Sequence, residues 1–99
     1  IMKVLVISKD YPIVKPQDHE VIHVEPGEGL LSFVMEDPDI IFCYAECGVG
    51  DTEETILLQD LRQSIRPNQK LIRVGFTTGG PDKLLQLPFS REEFQDCLQ

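Results

Sequence analysis

The sequence predicts a single α/β domain, residues 1–99, built on a mostly parallel sheet with helices on both faces. Three observations carry that expectation. The runs "KVLVIS" (3–8) and "DIIFCYA" (39–45) are almost continuously apolar, as strands covered on both sides must be. Segments with helical spacing and capping residues alternate with such strands. A chain of 99 residues suffices for one core, since roughly 65% of its unfolded surface is buried on folding.

After the first strand, residues 10–20 hold two prolines and several polar side chains, which predicts a loop. "VIHV" (21–24) follows as the second strand. Residues 25–38 open on turn formers and then set Leu30, Leu31, Val34 and Met35 at helical spacing, giving a short helix stopped at Pro38. The third strand is 39–45. The clearest helix spans 51–66. Asp51 and Glu54 stand at capping-box spacing, and Leu57, Leu58, Leu61 and Ile65 form an inner stripe. Glu53 and Glu54 suit the positive end of its dipole, and Arg62 and Arg66 the negative end. "KLIRVGFTT" (70–78) is the fourth strand, "GGPD" (79–82) a tight turn and "KLLQL" (83–87) the fifth strand. The last helix, 89–98, has Ser90 as its cap and Glu93 three residues on, with Phe89 and Phe94 at staple positions. No helix fits between strands one and two or between strands four and five. Those connections are loops, or the strands are antiparallel or edge elements.

Net charge is -8, and twelve acids with no lysine or arginine lie between Asp18 and Asp60. Such a surface repels phosphate backbones, so nucleic acid is excluded as a partner, while a basic protein surface or a divalent cation is attracted. No apolar run approaches the ~20 residues of a membrane helix, and no signal-peptide pattern opens the chain. No membrane contact and a cytoplasmic location are expected. Cys43, Cys47 and Cys97 are odd in number and show no zinc-type spacing, so they read as structural thiols.

Three stretches in order resemble the response-regulator receiver domain. "EPGEGLLSFVMEDPDIIFCY" is similar to that family's second helix and third strand, "GVGDTEETILLQDLRQ" to the following loop and helix, and "GGPDKLLQLPFSREEF" to its fifth strand and last helix. The resemblance implies a flavodoxin-like, three-layer fold with sheet order 2-1-3-4-5. It also implies a site. In the family an acid pair binds magnesium, an aspartate accepts phosphate, and a hydroxyl and a lysine complete the pocket. An attacking carboxylate needs a metal and a cation to offset the accumulating negative charge. Here the acid pair falls on Ser8 and Lys9, with Asp10 next, the acceptor on Tyr44, the hydroxyl on Thr77 and the lysine on Leu87. Only the hydroxyl survives. The implied protein is a degenerate pseudo-receiver without the family's first and fourth helices. No catalytic residue, no cofactor and no metal are expected. Two rescues are conceivable: a cation held by Asp10, Glu46 and Asp51, or a hydrogen bond from Tyr44 to Thr77 with Lys9 nearby.

With fewer helices, Val4, Val6 and Ile41 or Cys43 would be wet unless the 10–20 loop, a second copy or a partner covered them. A phosphorylation-independent regulatory module acting by protein contact is therefore expected, a homodimer included. Its contact surface is expected at Thr78, Leu85, Phe89 and Phe94. The alternative is a small ligand- or metal-binding domain or enzyme using the glycine-bearing loops 46–51 and 77–81. Neither loop is a dinucleotide or phosphate-loop motif, and His19 and His23 lie near strand two. A third reading takes the chain as part of a larger regulator.

Overall fold

The computed structural model describes residues 1–10, 18–47 and 52–99. Five strands are seen, β1 (Lys3–Ile7), β2 (Glu20–Val24), β3 (Ile40–Tyr44), β4 (Lys70–Gly75) and β5 (Lys83–Gln86), with helices α1 (Gly29–Glu36), α2 (Glu53–Ser64) and α3 (Arg91–Cys97). The strands form one sheet in the order β2-β1-β3-β4-β5, every pair parallel. The flavodoxin-like architecture and order implied by the resemblance are those of the molecule.

β5 is parallel to β4 although no helix joins them. The register supplies the reason. Lys83 pairs with Ile72 and Gln86 with Gly75, so β5 lies alongside only the later part of β4 and residues 76–82 need not travel the strand's full length. Arg62 in α2 anchors this connection through a two-pronged bond to Asp82, Nε to Oδ1 at 2.9 Å and NH2 to Oδ2 at 2.5 Å. Much of the expected 10–20 loop lies outside the described residues.

Alternation along the strands divides the core in two. Val4, Val6, Ile40, Phe42, Ile72, Val74 and Leu85 face α3 and meet Phe94, Cys97 and Leu98. Leu5, Ile7, Ile41 and Cys43 face the other way, against Phe33 of α1 and Leu57, Leu58 and Leu61 of α2. Two expectations are corrected. Ile41 and Cys43 are not on the face of Val4 and Val6, because adjacent residues of a strand point to opposite sides. Nor are Val4 and Val6 wet: they are 0% and 2% exposed within the single chain, so no second copy is needed to cover them.

Helix ends follow local chemistry. Ser90 and Glu93 form the expected capping box, and Phe89 stacks on Phe94 at 6.0 Å between ring centroids. At α2 the cap is Thr52, whose hydroxyl accepts from Thr55 N at 3.1 Å, rather than Asp51, which lies outside the described residues. β4 stops at Gly75, short of the expected 78, because the next amides turn to a side chain described below. In α1 the predicted apolar stripe is not the buried one. Gly29 and Phe33 face the sheet, while Leu31, Val34 and Met35 are 63%, 68% and 71% exposed. A side-chain Cβ at Gly29 would come within 2.7 Å of Leu57, so glycine lets the helix sit close.

This assignment of faces is testable by chemical denaturation. Phe33→Ala removes a core ring and is expected to lose about 3–5 kcal/mol, whereas Leu31→Ala and Met35→Ala should stay within about 0.5 kcal/mol of the parent.

Candidate functional site

Parallel strands deliver all their carboxyl ends to one edge of the sheet, where ligands of such folds bind. Ser8, Tyr44, Thr77 and Leu87 lie at or just beyond the carboxyl ends of β1, β3, β4 and β5. Ser8, 3% exposed, ends β1. Its hydroxyl donates to the Asp10 carbonyl oxygen. His23 Nε2 lies 3.1 Å from the Ser8 carbonyl oxygen, which only accepts, so Nε2 carries the hydrogen; the Ser8 hydroxyl at 2.9 Å then accepts from it as well. Lys9 reaches Glu54 of α2 at 3.6 Å, not Tyr44.

Tyr44 closes β3 on the α3 side, half-buried against the core there. Burial pushes its phenol pKa up, so it stays neutral. It makes no bond to Thr77. The Thr77 hydroxyl instead accepts from Cys47 N at 2.8 Å and from Arg73 NH1 at 3.4 Å. Glu46 turns its carboxylate onto the chain after β4, accepting from Phe76 N at 2.7 Å and Thr77 N at 3.1 Å. These bonds pull the backbone out of the ladder and end the strand. Glu46 is thus occupied by amides, and among the described residues no three His, Cys, Asp or Glu gather closely enough for a metal ion. Leu87 is half-buried beside the α3 core and holds Gly75 O through its amide at 2.9 Å; the Leu87–Pro88 peptide is cis.

The residue that organises this edge was not among those singled out. Arg73, in the middle of β4, is 0% exposed. Register with Cys43 puts it on the α1 and α2 face. Its guanidinium donates to Ala45 O at 3.1 Å, Thr77 O at 2.8 Å and Gly79 O at 3.1 Å, while its Nε has no hydrogen-bond partner. The sequence did hold a signal: one arginine inside the apolar run "KLIRVG", at a parity that points it inward. Gly75 makes room for the arrangement. A Cβ there would stand 2.2 Å from Glu46 Oε1, 2.7 Å from Ala45 O and 3.0 Å from Arg73 NH1. Of the expected contact residues, Leu85 and Phe94 are each 4% exposed and belong to the core, Thr78 is exposed and Phe89 half-buried. Leu85 and Phe94 are therefore too buried to be exposed contact residues, contrary to the expectation.

The sheet order and helix placement define a flavodoxin-like, receiver-like fold, in which Tyr44 closes β3. Among solved structures the chain is similar to the Vibrio cholerae chemotaxis protein CheY4, in a form crystallised at low pH (4.0), with a TM-score of 0.75 and 18% identity over 98% of this chain and 95% of that one. No family model matches the sequence, and no curated protein does. No helix among the described residues is long and apolar enough to cross a membrane.

Two outcomes are expected. Gly75→Ala should destabilise by about 1–3 kcal/mol and displace the Phe76 and Thr77 amide resonances, because the carboxylate can swing aside but the Ala45 carbonyl cannot. Thiol-reagent kinetics at mildly alkaline pH should show Cys47 reacting first. Burial, then the Asp82 and Glu54 carboxylates, push the Cys43 thiol up to about 12, so it should react only as fast as the protein opens.

Proposed function

We propose that the chain is a receiver-like regulatory module that works by contact with another protein and does not depend on phosphorylation of its own sheet edge. One observation carries this reading. The surviving hydroxyl of the site, Thr77, is held by Cys47 N and Arg73, while the acceptor position holds Tyr44. A tyrosine forms no acyl phosphate, and the Thr77 hydroxyl oxygen already accepts from Cys47 N and Arg73. The likeness to a chemotaxis protein supports a place in signal transduction.

The contact surface in this reading includes Thr78, Phe89 and the 65% exposed Phe76, over a floor of Leu85 and Phe94. Net charge of -8 argues for a basic protein partner and against nucleic acid. A different protein is favoured over a second copy, since the core is complete in one chain.

The test treats the protein with magnesium and beryllofluoride, and separately with acetyl phosphate. No rise in melting temperature and no phosphoryl adduct by intact mass are expected. A stabilisation dependent on both magnesium and beryllofluoride, or an acid-stable or hydroxylamine-labile adduct, would contradict the reading.

A further inference from the structure

α1 is apolar on two sides, and only one of them is used by the fold. At about 3.6 residues per turn, Gly29 and Phe33 fall together on the inner side. Leu30, Val34, Leu31 and Met35 fill one uninterrupted arc on the other, 37%, 68%, 63% and 71% exposed. Single exposed apolar residues need no explanation, but four side by side on a two-turn helix mark a contact surface.

The rim of this arc is predominantly acidic. Glu25 and Glu28 stand exposed just before the helix, and Glu53 from the start of α2 shares an open cleft with them, Lys9 being the one cation that lines it. Asp37 and Asp39 stand exposed just after it. The nearby cations are committed: Lys3 to Glu36 at 3.5 Å, Lys9 to Glu54 at 3.6 Å, and Arg66 to Asp37. No described ion pair neutralises Glu25, Glu28 or Glu53.

An apolar stripe with acidic ends selects its occupant by charge. A second copy would set two identical acidic rims against each other, in chains of net charge -8. Anionic lipid is repelled for the same reason. We propose that the outward face of α1, Leu30, Leu31, Val34 and Met35 between Glu25, Glu28 and Asp39, is a docking surface for an amphipathic helix of a partner protein whose apolar side is flanked by lysine and arginine. This rests on the reading above only in that the module acts by protein contact. The surface itself is separate from the sheet edge and from β5.

The probe is a synthetic leucine-and-lysine amphipathic peptide, labelled for fluorescence anisotropy. A peptide with glutamate in place of lysine and a scrambled leucine-lysine peptide are the controls. The lysine peptide should bind the intact protein, shift amide resonances of Glu25–Met35 foremost, and weaken as salt is raised. Leu31→Asp and Met35→Asp should each reduce its affinity about tenfold or more, with circular dichroism showing the fold retained. Absence of binding, equal binding of either control, or shifts mapping elsewhere would overturn the proposal. So would a dimer in sedimentation equilibrium that Leu31→Asp dissolves, or co-sedimentation with phosphatidylserine vesicles. A failed peptide test beside an unchanged melting temperature in beryllofluoride sinks this inference alone; a beryllofluoride response sinks the broader reading whatever the peptide does.

Discussion

A guanidinium buried in the sheet and bonded to backbone carbonyls, with the Glu46 carboxylate close by, is the constraint from which the arrangement of the functional edge follows. Taking the Arg73 charge out of water costs several kcal/mol. Bonds from a charged donor each return roughly 1.5–3 kcal/mol. Arg73 gathers the carbonyls of Ala45, Thr77 and Gly79, which belong to the ends of two strands and the turn beyond them. The fork of the guanidinium can reach three directions at once, which an ammonium could not do in the same place. Gly75, having no side chain, leaves the space that this convergence needs.

Around that centre several polar groups of the edge bond to one another. Glu46 caps the amides after β4, Thr77 accepts from Cys47, and Ser8 is bound between His23 and Asp10. The edge is tied by a cation, Arg73, and a carboxylate, Glu46, both belonging to the chain. The proposed functions rest on surfaces rather than on these groups.

Much of this was readable from the residues. Continuous apolar runs identified β1 and β3 as doubly covered, and the order of motifs implied the strand order. The capping box at Ser90 follows from spacing alone, since it involves only neighbours in sequence. Three features did not follow, each for a physical reason. In α1 the periodicity of Leu30, Leu31, Val34 and Met35 indicates an apolar face but not which face meets the sheet, and the glycine that permits close approach decided it. The end of β4 depends on Glu46, thirty residues away from Phe76 in sequence. Arg73 in an apolar run reads as an interruption until its distant carbonyl partners are placed. Non-local polar bonds leave no periodic trace, whereas local caps and strand runs do.

The central claim is that the sheet edge has one arrangement, fixed by Arg73 and Glu46. NMR relaxation dispersion at the backbone amides of Ala45–Cys47 and Phe76–Gly79 measures this directly, on the microsecond-to-millisecond scale of switching motions. The account predicts flat profiles at these positions. Exchange shared by Cys47 and Thr77, signalling a second populated arrangement of the edge, would contradict it.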